Sequence, residues 1–172
     1  MDHKIQNPMV RKYVPFEVLE KFNVEILVKA GVPEADAEII GDVLLQSDKL
    51  GIDSHGVNRL KAIYLDRIRD GILEPVTNYK IIKDGPTTAV IDGQNGMGHV
   101  ISYHAMKMAI EKAGKFGMGM VAVRNSSHYG FAGHYPLMAV RENMIGITGT
   151  NARPSVAPTF GVENMLGTNP LT

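Results

Sequence analysis

Polar and titratable residues concentrate in the stretch "VRNSSHYGFAGHYP", residues 123–136, which holds two serines, two histidines and two tyrosines. The residues before it predict a short buried strand, and the apolar residues after it are spaced as in a helix. Loops on a rigid scaffold often present side chains to ligands, so a polar turn between a strand and a helix is a candidate site. His128 in this turn could pack against the core, bind a metal or transfer a proton.

The spacing of the histidines argues against a metal site. His99 and His104 are five residues apart and His128 and His134 six, whereas two ligands on one helical face lie three or four apart. A serine nucleophile is equally disfavoured. Ser127 directly precedes His128, so the two side chains would diverge on a helix or strand, and the chain contains no G-x-S-x-G turn.

A second polar stretch, "GIDSHGVNRL", joins two amphipathic segments. If a helix begins at Val57, Arg59 lies in its first turn, where the helix dipole already favours an anion. Ser54, His55 and Arg59 together could hold a small carboxylate, with Arg59 supplying two parallel hydrogen bonds. A capping Ser54 beside a solvated Arg59 explains the residues equally well, and the sequence alone leaves both interpretations open.

The glycines of "VIDGQNGMGHVI" suggest a dinucleotide-binding turn, because a strand precedes them and a helix follows. The third position of the fingerprint is Ile101 instead of glycine or alanine. The next strand ends at Arg124, with no acidic residue to hold a ribose. We therefore favour a structural role for these glycines, in which they let the strand meet the helix.

Hydrophobic periodicity predicts three helices in the first part of the chain, each followed by a glycine. From residue 76 onward, strand-like runs alternate with helical patterns, and "MIGITGTN" is the last predicted strand. Such alternation is typical of an α/β domain. We therefore predict a helical unit over residues 1–75 and an α/β domain over residues 76–172.

The composition argues against several classes of partner. Of the 172 residues, 44% are hydrophobic, and 18 basic residues balance 18 acidic ones. Nucleic acid and anionic membranes both demand a basic surface, which this balance does not provide. The chain has no cysteine, which excludes disulfides and thiolate chemistry. The N-terminus "MDHKIQNPMVRKY" lacks the apolar centre of a signal peptide, and no apolar run approaches the ~20 residues of a membrane span, so we expect a soluble, cytoplasmic protein.

Three segments in order, "SDKLGIDSHGVNRL", "VRNSSHYGFAGHYPLMA" and "TNARPSVAPTFGVENMLGTNPL", resemble the malate/L-lactate dehydrogenase family. That family reduces 2-oxo acids with NAD or NADP on a non-Rossmann α/β fold. It includes malate, L-sulfolactate and ureidoglycolate dehydrogenases, diketogulonate reductase and a cyclic-imine (piperideine-carboxylate) reductase. The resemblance implies an oxidoreductase that transfers hydride between NAD(P)H and a small 2-oxo acid such as that of malate, lactate or sulfolactate.

The resemblance also implies roles for individual residues. His128 and His55 are the expected catalytic residues, with His128 favoured as the acid and base. The expected substrate-binding residues are Arg59, Ser54 and Ser127, and the expected cofactor-binding residues are Asn151, Ala152 and Thr168. No metal is expected. The expected assembly is a homodimer or a higher homo-oligomer.

The sequence leaves several points open. The family's aromatic residue four positions after the arginine falls at Ile63, with Tyr64 next to it, which leaves one substrate contact unassigned. The alternatives to 2-oxo acid reduction are a cyclic-imine reductase and a non-catalytic carboxylate-binding or interaction module. The resemblance further implies that residues 76–172 are only the first part of the catalytic and NAD(P)-binding domain, and that a C-terminal half supplies the rest.

Overall fold

The computed structural model describes residues 13–172, which form a mixed α/β arrangement and so confirm the predicted fold class. Most of the N-terminal stretch inspected for a signal peptide lies outside the described residues. Within residues 13–172, no helix is long and apolar enough to cross a membrane. The elements are α1 (Phe16–Lys29), α2 (Glu34–Lys49), α3 (Asp66–Arg69), β1 (Lys80–Asp84), β2 (Thr88–Asp92), α4 (Gly98–Phe116), β3 (Met120–Arg124) and α5 (His134–Arg141).

The first two helices are each followed by a glycine, as the sequence predicts. Pro15 and Pro33 stand directly before α1 and α2, where the lack of an N–H costs no helical hydrogen bond. The chain turns after α1 at Gly31 and after α2 at Gly51, with φ angles of 94° and 73° that favour glycine. These turns let α1 and α2 pack against each other.

One hydrophobic core joins the helical unit to the α/β part. Leu27 of α1, Leu44 of α2 and Tyr64 are buried in it. Met97 and Val100, at the start of α4, belong to the same core. Removing side chains of this size from water stabilises the fold by about 1.5–3 kcal/mol each before the cost of ordering them. This packing fixes the helical unit against the start of α4, and the domain boundary at residue 75 stays a prediction.

The three strands form one mixed sheet in the order β1–β2–β3. β2 pairs antiparallel with β1 and parallel with β3, and α4 is the crossover between the two parallel strands. Ile91 of β2 packs on Ile101 and Ala105 of α4 in a second, smaller core. Because β2 and β3 run in parallel, their carboxyl ends lie side by side, and the polar turn after β3 leaves the sheet at this edge.

A buried carboxylate holds this edge together. Asp92, at the end of β2, accepts hydrogen bonds from Gln94, Arg124 and Asn125. The hydrogen bonds from Gln94, first from its backbone N–H, hold the pKa of Asp92 at about 2, well below the usual range. The carboxylate is therefore ionised at neutral pH, and it ties the loop before α4 to the loop after β3.

The prediction of a strand at "MIGITGTN" is wrong. The segment makes one isolated bridge, between Gly149 and Leu171, and a reciprocal pair of 2.8 Å backbone hydrogen bonds between Thr148 and Thr172. The opposing segment contains Pro170, which has no N–H to donate, so a continuous ladder does not form. The apolar alternation indicates an extended chain, but it says nothing about the partner that a strand requires.

The glycines before α4 have the structural role that we favoured. A Cβ atom on Gly98 would lie 2.2 Å from the Ser127 carbonyl oxygen and 2.5 Å from that of His128. Contacts this short do not occur between real Cβ atoms and backbone, so α4 and the polar turn approach closely only because residue 98 is glycine. The close approach places the polar turn directly over the N-terminus of α4.

Gly98→Ala should therefore destabilise the protein. Forcing a methyl group against two backbone carbonyls is a form of overpacking, which costs about 1–3 kcal/mol of unfolding free energy. Urea unfolding measures this cost as a lower midpoint. Gly114→Ala is the matched control in the same helix, because its nearest neighbour would be a flexible Met144 methyl 3.7 Å away, and we expect it to be neutral or stabilising. Equal midpoints for the two variants would contradict the close approach at Gly98.

Candidate active site

The Ser-His-Gly loop is shaped by a carboxylate from α2. The Asp48 side chain accepts a 2.9 Å hydrogen bond from the backbone N–H of Val57. A Cβ atom on Gly56 would lie 1.7 Å from the other Asp48 oxygen, so the glycine makes room for the carboxylate. The loop consists of two 3₁₀ turns, Asp53–His55 and Val57–Arg59, in place of the regular helix start predicted at Val57.

Arg59 and His55 are braced by Ser54 within this loop. The Arg59 Nε donates to the Ser54 carbonyl oxygen, which leaves the two terminal nitrogens of the guanidinium for a ligand. The Ser54 hydroxyl lies 2.8 Å from Nδ1 of His55 and makes no helix cap, so the capping interpretation of Ser54 is wrong. Partial burial, and then the charge of Arg59, lower the pKa of His55 below its ordinary value.

A π turn over Leu60–Leu65 follows the loop and leads into α3. Its hydrogen bonds span five residues, one more than in an α-helix, so Tyr64 comes one turn after Arg59. Ile63 packs on the core instead. Tyr64, five positions after Arg59, is the aromatic residue of this segment that reaches His128. The sequence analysis did not assign a role to Tyr64. The only indication in the sequence was that this aromatic residue directly follows Ile63, the position at which the family has its aromatic residue.

His128 lies between Tyr64 and His55. Its Nδ1 is 2.7 Å from the Tyr64 hydroxyl and accepts a 3.2 Å hydrogen bond from the backbone N–H of Gly130. The ring stacks on His55 with the centroids 5.6 Å apart and the planes 20° apart. Because the Gly130 N–H can only donate, the neutral imidazole carries its proton on Nε2, the nitrogen that is left for a ligand.

The pKa of His128 is lowered to about 4, below the ordinary value for histidine. Burial of the ring is the main cause, followed by the charges of His55, Arg59 and Arg67. The site is therefore cationic, and His128 is neutral at pH 7 in the absence of a ligand. An anion bound among these groups would offset the arginine charges and raise the pKa of His128.

Ser127 contacts the start of α4. Its hydroxyl donates a 2.8 Å hydrogen bond to the Gly96 carbonyl and accepts one of 2.9 Å from the Gly98 N–H. These two contacts fix the polar turn that carries His128. The sequence missed this positioning contact, and direct contact between Ser127 and a substrate stays a prediction.

The candidate cofactor residues lie in the irregular segment after α5. The Ala152 N–H donates to the Asn169 side chain at 2.8 Å, which joins the two arms of this segment. Asn151 and Thr168 are exposed. Their amide and hydroxyl groups are neutral donors and acceptors, a chemistry that suits the carboxamide and ribose of a dinucleotide. Within residues 13–172, no three His, Asp or Glu side chains are grouped so as to hold a metal ion.

Together, the fold and this site define a non-Rossmann α/β protein with a cationic site built around two stacked histidines. Residues 14–172 match the malate/L-lactate dehydrogenase family. The chain belongs to this family, which confirms the resemblance seen in its three motifs.

Individual relatives agree with this assignment. Malate dehydrogenase of Pyrococcus abyssi is 55% identical over 158 residues, which are 92% of this chain and 43% of the relative. L-sulfolactate dehydrogenase of Methanocaldococcus jannaschii is 45% identical over 152 residues, 88% of this chain and 44% of the relative. The crystal structure of malate dehydrogenase from Entamoeba histolytica superposes with a TM-score of 0.89 at 51% identity, covering 93% of this chain and 44% of that one. This chain therefore spans somewhat under half the length of these relatives.

Proposed function

We propose that the protein carrying these residues is an NAD(P)-dependent oxidoreductase that interconverts a small 2-oxo acid and its 2-hydroxy acid. The observation that carries this proposal is the stacking of His55 and His128 at 5.6 Å beside an arginine whose terminal nitrogens have no ligand from the loop. Such a set can hold a carboxylate and exchange a proton with the adjacent oxygen. Homologous malate and sulfolactate dehydrogenases support the same reaction class.

Arg59 would orient the substrate. Its planar guanidinium can hold the substrate carboxylate through two parallel hydrogen bonds. This contact directs the C2 oxygen toward Nε2 of His128, because Nδ1 is already engaged. Holding the reacting atoms in one geometry removes much of the entropic part of the barrier.

His128 would transfer the proton, and the Tyr64 hydroxyl would hydrogen-bond to His128 in both of the histidine's charge states. As the C2 alkoxide develops, the imidazolium gives it the Nε2 proton and remains with a proton on Nδ1. The Tyr64 hydroxyl can accept from that Nδ1–H and can also donate to an unprotonated Nδ1, whereas the Gly130 N–H can only donate. When bound, the nicotinamide supplies or accepts the hydride.

Asn151 and Thr168 would hold polar groups of the cofactor, and Ala152 would contribute backbone contacts. We propose that the cofactor is NAD or NADP. We also propose a homo-oligomeric state and a cytoplasmic location. We further propose that most of the cofactor contacts come from the part of the family's length that this chain does not span. On this view residues 1–172 alone bind NAD(P)H weakly.

A panel of substrates tests the proposed function. The full polypeptide that contains these residues is assayed with small 2-oxo acids and a cyclic imine acid, each with NADH and with NADPH, by following nicotinamide absorbance. Turnover of a 2-oxo acid is the expected result. Turnover of the cyclic imine alone would favour an imine reductase. A protein that binds carboxylates but neither binds nor oxidises NAD(P)H would be a binding module.

Tyr64→Phe should lower kcat for 2-oxo acid reduction by about 10-fold, the order of one hydrogen bond to a charged group. Without the hydroxyl, the Nδ1–H of the imidazolium faces only the Gly130 N–H, so the pKa of His128 falls further. The pH profile of reduction should therefore move to lower pH. Tyr135→Phe is the control, because it removes a buried hydroxyl that donates to the Tyr129 carbonyl and does not contact His128. Identical kcat values and pH profiles for the two variants would reject this role of Tyr64.

A further inference from the structure

Arg67 is a second arginine near the stacked histidines, and the proposed mechanism gives it no role. It lies in α3 three residues after Tyr64, so the two side chains occupy neighbouring positions on one helical face. Long helical side chains point back toward the helix N-terminus, which directs Arg67 over the turn that carries Tyr64. The charge of Arg67 acts on both Tyr64 and His128, as does that of Arg59.

Among the described residues 13–172, Arg67 differs from the other charged residues of this helix in having no carboxylate partner. Asp66 pairs with Lys61 and Arg69, and Asp70 pairs with Arg69. Within residues 13–172, no Asp or Glu lies at ion-pair distance from Arg67, although its side chain is half-buried. A partly buried cation without a counter-charge is unfavourable, so this position suits an anionic ligand.

Arg59 and Arg67 flank Tyr64 along the chain. Arg59 precedes Tyr64 by five residues and Arg67 follows it by three, while His128 contacts the Tyr64 hydroxyl between them. Both guanidinium groups are therefore close enough to His128 to act on its charge. A substrate with a single carboxylate uses only Arg59 and leaves Arg67 without a partner.

We propose that Arg67 binds a second anionic group of the substrate, remote from the carboxylate held by Arg59, and so selects dianionic over monoanionic 2-oxo acids. This inference rests on the proposed function and adds to it a specificity-determining residue. It also couples binding to chemistry, since a dianion would offset both arginines and thereby favour the protonated form of His128.

The test compares two substrates in the full polypeptide that contains these residues. Oxaloacetate supplies the second carboxylate, and 2-oxobutanoate has a methyl group in its place. Arg67→Met keeps most of the side-chain stem and should lower kcat/KM for oxaloacetate by about 10- to 100-fold, while kcat/KM for 2-oxobutanoate changes by less than about 3-fold. Arg67→Lys should recover part of the loss. Arg69→Met removes an arginine already paired with Asp66 and Asp70 and should change neither value.

The results of this comparison distinguish a wrong role for Arg67 from a wrong proposed function. An equal fall for both substrates, with an unchanged urea midpoint, would overturn the role of Arg67 in selectivity and leave the proposed function standing. A rise in KM for NADH or NADPH with both substrates would overturn it in favour of a cofactor phosphate at Arg67. A wild-type protein that reduces neither substrate, nor any other 2-oxo acid, would overturn the proposed function itself.

Discussion

Replacing His128 by asparagine should lower kcat by about 10²–10⁴-fold while leaving NAD(P)H binding intact, because a positioned proton donor contributes that much to the rate. Asparagine keeps a polar group near Tyr64 and Gly130 but cannot exchange a proton. Rapid-mixing or steady-state turnover measures the loss, and nicotinamide fluorescence measures the binding. A His128→Asn variant that turns over at nearly the normal rate would end this assignment.

Two further variants make the His128 result specific. His55→Asn asks which of the stacked histidines exchanges the proton, and we expect it to lower kcat less than His128→Asn. His104→Asn removes a half-buried histidine that packs on Tyr79 and Tyr103 away from the site, so it should leave kcat unchanged. A larger fall in kcat for His55→Asn than for His128→Asn would exchange the two assignments.

The lowered pKa of His128 gives the pH dependence a definite sign. Oxidation of the 2-hydroxy acid needs a neutral imidazole with its proton on Nδ1, where the Tyr64 hydroxyl can accept it, so that Nε2 can take the substrate proton. The neutral imidazole dominates above a pKa of about 4. Since kcat/KM reports on the free enzyme, its His128-dependent part should be flat from about pH 6 upward and fall only in acid. Reduction needs the imidazolium, so its kcat/KM should fall as pH rises. The pKa seen in kcat should be higher, because the bound anion offsets Arg59 and Arg67.

Much of the scaffold is predictable because local rules dictate it. Apolar periodicity places α1 and α2, and the defective fingerprint at Ile101 correctly indicates a structural glycine turn instead of a Rossmann site. The arrangement of the site is harder to predict from the sequence. Periodicity cannot bring His55 next to His128, which are 73 positions apart in the chain, and only the match of several motifs to one family indicates that they meet.

The features that could not be predicted depend on tertiary structure. Spacing rules assume 3.6 residues per turn, so they assign the aromatic position to Ile63 and miss the π turn that brings Tyr64 to His128. The pKa of His128 depends on burial and on Arg59 and Arg67, none of which its neighbours in sequence reveal. The strand at "MIGITGTN" failed because a strand needs a donor on its partner as well as its own alternation.

Arg59→Met should lower kcat/KM for 2-oxo acids by about 100- to 1000-fold, the range for losing two hydrogen bonds from a charged group to a carboxylate. Arg59→Lys keeps the charge but loses the planar geometry, so it should recover only part of the loss. The fall should appear mainly in the substrate KM, with KM for NAD(P)H unchanged, because Arg59 is expected to hold substrate and not cofactor.

The Arg59 side chain also braces the loop by donating to the Ser54 carbonyl, so the experiment must separate binding from folding. Urea midpoints report on the loop, and free guanidinium added to Arg59→Ala should restore part of kcat/KM if the missing group acts on the substrate. Arg141→Met, at the exposed end of α5, is the control for loss of a positive charge. If Arg59→Met keeps the wild-type kcat/KM, Arg59 is only a structural brace, and the carboxylate must be held elsewhere in the site.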